Sequence, residues 1–334
     1  SVMKSYTKEQ FVKDVIAGII VAIIALPLSI ALALASGVTP EKGIYTAITA
    51  GFVISFLGGS RVQIAGPTAA FATIVAGIVA KNGMDGLIIA TLLAGVILIL
   101  MGFLRLGNLI KFIPYTITTG FTSGIAVTIF IGQIKDFLGL TIVSEEPLIE
   151  TMDKLKAVFQ FISTTNVQAL LVGVISLLIL ILWQYLPGFC KKIPPSLIAV
   201  LVGSAMVALL NMNVNTIGDL YEISNKLPSI SLPAFSLKTV QNVLPDAFTI
   251  AILAAIESLL SCVVADSMVN SRHRSNMELI AQGAGNITSA LFGGIPATGA
   301  IARTAANVKN GGRTPIAGMV HSVTLLLILV VLMP

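Results

Sequence analysis

Residues 56–80 of the chain read FLGGSRVQIAGPTAAFATIVAGIVA, and this stretch decides the fold. After a glycine pair and Pro67, the apolar run from Thr68 to Ala80 has 13 residues. As a helix it would be about 20 Å long at ~1.5 Å per residue, too short for the ~30 Å hydrocarbon core of a bilayer. Glycine lets the backbone turn, and proline starts a helix well. The stretch therefore predicts an extended segment that becomes a half-helix inside a membrane.

The same arrangement occurs a second time, in residues 291–308, which read LFGGIPATGAIARTAANV. Here a glycine pair and Pro296 precede a short run from Ala297 to Val308. At nearly the same offset along the chain, AIIALPLSI at 22–30 is weakly similar to AAIESLLSC at 254–262. Interrupted helices at corresponding positions of two halves are typical of inverted-repeat transporters, whose binding site lies near the bilayer midplane.

The composition places the rest of the chain in a membrane as well. Of its 334 residues, 56% are hydrophobic and only 10% are charged, with a mean hydropathy of +0.97. A soluble globular chain carries about 25% charged residues. The long apolar runs lack the alternation of an outer-membrane barrel strand, and as helices they satisfy their own backbone hydrogen bonds. The predicted fold class is an all-α polytopic membrane protein.

Eleven hydrophobic segments are expected, and they form one transport domain over residues 1–334. They lie at about 15–35, 43–57, 67–80, 86–104, 112–134, 167–186, 194–210, 244–265, 277–292, 296–308 and 315–333. Seven precede Pro245 and four follow it, which indicates a first repeat over about 10–210 and an incomplete second repeat over about 240–334. Since an odd number of crossings inverts the second repeat, the last three helices of a 7+7 fold are expected to be missing.

Charge placement predicts the orientation of the chain. Twelve Lys and Arg residues fall in loops on the side of Ser1 and seven on the opposite side, which favours a cytoplasmic N-terminus. The first segment is too long for a signal peptide, and more spans follow it. The net charge of +5 is spread over short loops, so nucleic acid is not an expected partner. Cys190 and Cys262 support neither a disulfide framework nor a metal site.

The starts of the two half-helices are the candidate anion site. A helix N-terminus concentrates unpaired N–H groups and roughly half a positive charge, so two of them can hold an anion without a lysine. The candidate donors are the backbone of Thr68, Ala69, Ala70, Gly299, Ala300 and Ile301, with the Thr68 hydroxyl in addition. The alternative interpretation is that these glycines and prolines only mark helix-packing kinks.

Glu257 lies in the middle of the eighth segment and is the candidate ion-coupling residue. A carboxylate at the bilayer centre is costly and usually faces an ion or proton pathway. Because a buried carboxyl group binds a proton more readily than an exposed one, Glu257 could load and release a proton. Ser261, one turn later on the same face, could share an ion. Alternatively, Glu257 is always protonated and only hydrogen-bonds a neighbouring helix.

The other polar residues have simpler interpretations. Arg303, about two turns inside the second half-helix, either raises anion affinity or pairs with Glu257. Loop positions are expected for Asp266, for SRHR at 271–274 and for the acidic residues Asp136, Glu145, Glu146 and Glu150, and a packed or hydrogen-bonded position for His321. The sequence contains neither an HExxH zinc motif nor a GxSxG nucleophile elbow, so no metal, cofactor or enzyme activity is expected.

Several motifs, taken in order, resemble the SulP anion transporters, the sulfate permease family. They are PEKGIYTA at 40–47, GGSR at 58–61, GPT at 66–68, AIESLL at 255–260, RHRSN at 272–276 and GGIPAT at 293–298. The resemblance covers essentially the whole chain, with Lys42 where members often carry an aromatic residue or cysteine. It implies fourteen membrane segments in two inverted repeats, a core and a gate domain, and an elevator-like movement of the core domain. It also implies a substrate site between the third and tenth segments, a homodimer, and a cytoplasmic STAS domain that is absent from this sequence.

The resemblance leaves the transported anion open among sulfate, bicarbonate and C4-dicarboxylates. Sodium-dependent bicarbonate members have an aspartate at the position of Glu257, a threonine at Ser261 and a substrate-touching threonine at Ile301. Because this chain differs at all three, it is more similar to bacterial dicarboxylate or sulfate members, and H⁺ is a better candidate coupling ion than Na⁺.

The expected function is therefore proton-coupled secondary transport of a small anion across the inner cell membrane. The alternatives are a sodium-coupled bicarbonate symporter, an uncoupled anion exchanger or channel and a nucleobase–cation symporter. From another class, an intramembrane enzyme remains as a rival.

Overall fold

The computed structural model describes residues 6–112, 115–144, 148, 150–187, 193, 195–224 and 226–332. Its helices are α1 (Lys8–Ala35), α2 (Pro40–Leu57), α3 (Ala72–Phe103), α4 (Tyr115–Phe137), α5 (Thr151–Gln160), α6 (Val167–Leu182), α7 (Pro195–Leu209), α8 (Ile217–Leu220), α9 (Leu237–Val269), α10 (Ser275–Leu291), α11 (Ile301–Lys309) and α12 (Pro315–Leu332). Single 3₁₀ turns lie at Ala69–Phe71, Leu106–Phe112, Ile162–Thr164 and Trp183–Tyr185. Two short strands, β1 (Ala65–Gly66) and β2 (Thr298–Gly299), complete the described elements.

The chain divides into two compact units. One contains the described residues of Ser1–Gly120 and Ile223–Pro334, and the other is Phe121–Glu222. The first unit holds α1 to α3 and α9 to α12, and its apolar core lies chiefly where α3 packs against α9 and α10. All the predicted site residues belong to this unit.

Close packing of α3 on α10 depends on glycine. A β-carbon at Gly95 would lie 2.7 Å from the carbonyl oxygen of Gly283, and one at Gly283 would press on the backbone of Gly95 in the same way. Small residues of this kind let membrane helices approach closely. The contact fixes α10 beside α3, where its polar side chains reach the two interrupted segments.

The predicted apolar segments all contain helix, but several boundaries differ. α9 is longer than the predicted 244–265, because it begins at Leu237, about two turns before Pro245. α4 begins at Tyr115, after a 3₁₀ turn that occupies the start of the predicted segment. Among the described residues, four helical stretches are long and apolar enough to cross a membrane: Lys8–Ala35, Ala69–Phe103, Val167–Tyr185 and Leu237–Val269.

The predicted acidic loop is only partly a loop. Asp136 lies in the last turn of α4, and Glu150 directly precedes α5, an amphipathic helix that the sequence reading missed. α5 is short and half polar, so hydropathy alone gives it no signal. The predictions for Glu145, Glu146 and Cys190 concern residues outside the described ranges.

The first half-helix exists, and its end is defined by Gly83. A 3₁₀ turn at Ala69–Phe71 leads into α3, and Gly83 interrupts that helix with φ +66° and ψ −171°. Since φ near +66° is favourable for glycine, the chain turns there without a separate loop. The 35 residues of Ala69–Phe103 therefore combine one half-helix with one full crossing.

The second half-helix begins later than predicted. The sequence placed its start at Ala297, but α11 starts at Ile301, because residues before it form β2. β2 pairs antiparallel with β1, with Ala65 opposite Gly299 and Gly66 opposite Thr298. Antiparallel pairing makes the two half-helices leave the strand pair in opposite directions. This is the geometry of an inverted repeat.

Asp14 ties the start of α1 to the start of α12. Its carboxylate is fully buried and accepts hydrogen bonds from the Thr314 hydroxyl (2.6 Å), the Arg313 N–H (2.8 Å) and the Tyr6 hydroxyl (2.9 Å). We expect Asp14→Ala to lower the stability of the folded protein by about 2 kcal/mol, because buried donors lose their acceptor. Thermal unfolding of purified protein in detergent measures this.

The matched control is Glu9→Ala, which removes a carboxylate from the same helix. Glu9 is exposed, its one partner among the described residues is Lys13 on the surface, and exposed ion pairs contribute little. An equal effect of the two substitutions would contradict a special role for Asp14.

Candidate functional site

The paired strands place the starts of both half-helices on either side of one buried junction. Residues 65, 66, 298 and 299 are all buried. Gly66 and Gly299 leave space for two side chains: a β-carbon at Gly66 would collide with Nη1 of Arg303, and one at Gly299 with the amide of Gln63. The junction therefore packs polar side chains directly against the backbone.

The first half-helix offers the backbone donors that the sequence predicted. Within the described part of the chain, the N–H groups of Ala69 and Ala70 have no hydrogen-bond acceptor, whereas Phe71 donates to the carbonyl oxygen of Thr68. Thr68 and Ala69 are only partly buried. This end of the half-helix can accept an anion.

On the second half-helix, the predicted donors do not all lie at the helix start. The N–H of Ala300 donates to the carbonyl oxygen of Ile64 (2.9 Å), and Gly299 lies in β2, opposite Ala65 and before the first turn of α11. Because α11 starts at Ile301, its free N–H groups among the described residues are those of Ile301, Ala302 and Arg303. Ile301 is 42% exposed, so this end also opens to a solute.

Glu257 contacts the first half-helix directly. The Thr68 hydroxyl donates to Oε2 of Glu257 at 3.0 Å, joining α9 to the residue that precedes the 3₁₀ turn. Glu257 is only partly buried, and within the described ranges its carboxyl group makes this hydrogen bond through Oε2 and none through Oε1. A free, reachable oxygen and a hydroxyl partner allow this carboxyl group to exchange a proton.

Ser261 does not share this contact. It is fully buried, and its hydroxyl lies 3.4 Å from Oγ1 of Thr304 on α11, which also accepts the N–H of Ile64 at 3.0 Å. Glu257 and Ser261 thus lie on one helix but bond to different half-helices. The predicted shared ion between them has no direct geometric support.

Arg303 points into the junction rather than toward Glu257. It is 1% exposed, and Nη2 donates to Oγ of Ser29 (3.3 Å) and to the carbonyl oxygen of Pro67 (3.4 Å). Its Nε and Nη1 have no partner, and Arg303 and Glu257, both within the described residues, form no ion pair. A buried guanidinium with unused donors, bonded to the residue before Thr68, places positive charge behind the first half-helix.

Residues of α10 hold both interrupted segments, and sequence reasoning missed them. Glu278, fully buried, accepts the N–H groups of Gly59 (2.8 Å) and Ser60 (3.1 Å) and the side-chain amide of Gln63 (3.0 Å). Near the other end of α10, the Asn286 side chain bonds both the N–H (2.9 Å) and the carbonyl oxygen (2.8 Å) of Ala297. The signal that could have found them is the unusual number of polar residues in an apolar segment.

Two other expectations concern histidines. His273 lies in the predicted loop, but its side chain is not solvated: it is 9% exposed, and its Nδ1 lies 2.7 Å from Oδ2 of Asp266. His321 is fully buried as expected, but neither ring nitrogen has a hydrogen-bond partner in the described structure. Within that described part, His, Cys, Asp and Glu residues form no cluster suited to a metal ion.

An all-helical chain with two oppositely directed half-helices at a buried strand pair has the fold of inverted-repeat membrane transporters. Residues 11–334 match the Sulfate permease family, and the chain belongs to this family. The resemblance found in the sequence is confirmed.

Relatives in this family have names that describe anion transport. YvdB of Bacillus subtilis, which has a provisional name as a sulfate transporter, is 45% identical over 333 residues, covering 99% of this chain and 62% of YvdB. The bicarbonate transporter BicA of Picosynechococcus is 34% identical over 329 residues, covering 95% of this chain and 56% of BicA. The chain thus spans about 60% of the length of these relatives.

Solved structures confirm the predicted fold. The transmembrane domain of a cyanobacterial BicA matches with a TM-score of 0.85 at 31% identity, covering 98% of this chain and 84% of that one. The murine anion transporter Slc26a9, in its inward-facing state, matches with a TM-score of 0.88 at 21% identity over 99% of this chain and 58% of that one. The second likeness is one of fold alone.

Proposed function

We propose that this chain is the transport domain of a secondary active anion transporter coupled to protons. The observation that carries the proposal is the hydrogen bond between Thr68 and Glu257, at 3.0 Å. It joins a titratable group to the start of a half-helix. Protonation and anion binding can therefore influence each other through one hydroxyl.

The substrate is a small anion, held between the free N–H groups of Ala69 and Ala70 and those of Ile301 and Ala302. Helix N-termini favour anions, and the buried charge of Arg303 adds to the field. Sulfate and bicarbonate are the first candidates, since relatives are named for them, and C4-dicarboxylates are the third.

Coupling is proposed to follow the state of Glu257. As a carboxylate, Glu257 accepts a hydrogen bond from the Thr68 hydroxyl and repels a nearby anion. When protonated, it loses that repulsion and can donate a hydrogen bond instead. Anion and proton would then bind together and move together, by an elevator-like movement of the unit that carries the site.

The setting of this activity is proposed from the charge pattern and the family. We infer a multi-pass protein of the inner cell membrane with a cytoplasmic N-terminus and a homodimeric assembly. An enzymatic role is not proposed, because family and relatives are transporters by name.

Anion flux into sealed proteoliposomes containing the full-length protein tests the proposal. Uptake of sulfate, bicarbonate, fumarate and succinate is measured with an inward proton gradient, with a sodium gradient and with neither. We expect one of these anions to be taken up faster with the proton gradient by the wild type, and Glu257→Gln to lose this stimulation, since the amide cannot exchange a proton.

Asp246→Asn is the matched control, because it makes the same change elsewhere on α9 and should keep the stimulation. Stimulation by sodium alone would support the sodium-coupled bicarbonate symporter instead. Equal, gradient-independent uptake by wild type and Glu257→Gln would reduce Glu257 to a structural residue and favour an exchanger or channel.

A further inference from the structure

A cavity of about 560 Å³ lies at the turn between α9 and α10, outside the proposed transport site. Its lining includes Asn108, in the 3₁₀ turn after α3, and Arg272, His273 and Arg274 in the α9–α10 turn. α3 and α9 end here and α10 begins here. The cavity therefore lies at the level where membrane helices meet the headgroup layer, on the cytoplasmic side in the proposed orientation.

Among the described residues that line this cavity, the one carboxylate, Asp266, is already hydrogen-bonded to protein groups. Oδ2 of Asp266 accepts the backbone N–H of His273 (2.9 Å) and lies 2.7 Å from its ring Nδ1. Oδ1 accepts the hydroxyl of Ser271 at 3.2 Å. The ring is held from its other side as well, since Nε2 is 2.9 Å from Oγ of Ser275. Asp266 and His273 thus form one side of the cavity, and hydrogen bonds within the protein hold it in place.

Arg272 and Arg274 remain available for a ligand. Both side chains are exposed, and within the described residues neither guanidinium makes a hydrogen bond or an ion pair. Guanidinium groups bind phosphate through paired, charge-assisted hydrogen bonds. Two of them at one cavity select an anion.

Exposed apolar side chains lie close in the sequence to the residues that line this polar cavity. Phe103 is 69% exposed, Leu104 70% and Leu109 55%, all in the segment that carries Asn108. On α9, two residues beyond Asp266, Met268 is 36% exposed. A ligand with an anionic group and an attached apolar part matches this combination of basic and apolar side chains better than a free inorganic ion does.

We propose that this cavity binds the phosphate headgroup of an anionic phospholipid, with Arg272 and Arg274 as its cationic contacts. Basic pockets between membrane helices on the cytoplasmic side bind such headgroups in other proteins. The site would anchor the α9–α10 turn to the leaflet. It does not depend on what the protein transports.

Native mass spectrometry of the full-length protein in detergent, titrated with phosphatidylglycerol or phosphatidylcholine, tests this assignment. We expect preferential binding of phosphatidylglycerol, weakened about 30-fold in Arg272→Gln/Arg274→Gln, since each of the two cations near the surface contributes about 1 kcal/mol and about 1.4 kcal/mol is tenfold in affinity. Lys8→Gln/Lys309→Gln removes equal charge from exposed positions on the same side and should bind as the wild type does. Arg272→Lys/Arg274→Lys, which keeps both charges, should retain most of the binding.

Equal binding of the two lipids by the wild type, or equal weakening in the Lys8/Lys309 control, would overturn the assignment. Competition with inorganic phosphate tests whether the ligand is free phosphate rather than a lipid headgroup. Displacement of the lipid by phosphate at comparable concentration would show a soluble-phosphate site and refute the lipid. Because the readout is binding, failure here leaves the transport proposal untouched, and failure of transport leaves this site standing.

Discussion

Replacing Arg303 with glutamine is expected to weaken anion binding by the folded protein about 30-fold or more. Truncating one partner of a buried, hydrogen-bonded charge pair costs about 2–5 kcal/mol, and about 1.4 kcal/mol is tenfold in affinity. Arg303 is 1% exposed and keeps two nitrogen donors without partners. Its bond to the carbonyl oxygen of Pro67 also holds the approach to Thr68. Equilibrium binding of the transported anion to purified protein measures the effect.

Two further variants separate the possible roles of Arg303. Arg303→Lys keeps the charge but not the planar fork, so we expect an intermediate loss. If Arg303 instead served to pair with Glu257, the double variant Glu257→Gln/Arg303→Gln would recover binding relative to Arg303→Gln alone. We expect no recovery, because the two side chains, both described, form no ion pair. Unchanged affinity in Arg303→Gln together with a lower melting temperature would make Arg303 a structural residue.

The overall arrangement of this fold could be predicted from the sequence, because the patterns that indicate it lie in short stretches of the chain. A glycine pair, a proline and an apolar run too short to cross are visible in the residues themselves, at both 58–80 and 293–308. Thr68, Ala69 and Ala70 were found in this way, and the structure puts Thr68 in contact with Glu257. Hydropathy also located the long helices, because any segment that crosses lipid must satisfy its own backbone hydrogen bonds and so forms a helix.

The start of α11 could not be found in this way, because distant residues decide it. Pro296 suggested a helix start, but the Asn286 side chain bonds both backbone groups of Ala297, and the Thr298 hydroxyl donates to the carbonyl oxygen of Ala254 at 3.0 Å. These tertiary hydrogen bonds keep the segment extended. For the same reason the N–H of Ala300, a predicted donor, is already bonded to the carbonyl oxygen of Ile64.

Glu278 also holds a segment that is distant from it in the sequence, and replacing it is expected to have a large effect on stability. We expect Glu278→Ala to destabilise the folded protein by about 4 kcal/mol, because each buried donor left without its acceptor costs about 1–3 kcal/mol. The donors are the N–H groups of Gly59 and Ser60 and the amides of Gln63 and Gln282, all within 3.1 Å. Thermal unfolding in detergent, with the yield of monodisperse protein, measures the loss. Asp246→Ala, with no partner in the described structure, is the control.

Removal of the Glu278 carboxylate should disturb the candidate site as well as lower the stability, because Gln63 contacts both. Its Nε2 is held by Glu278, its Oε1 accepts from Sγ of Cys262 on α9, and a β-carbon at Gly299 would collide with it. Gln63 therefore connects α10, α9 and β2 at the junction from which both half-helices depart. Glu278→Gln preserves the shape but turns an amide donor toward Gln63 or Gln282, so it should be destabilised too, though less than alanine. If Glu278→Ala melted at the wild-type temperature and retained normal anion uptake, the segment before β1 would have to be held by other contacts, and α10 would not be the element that positions the site.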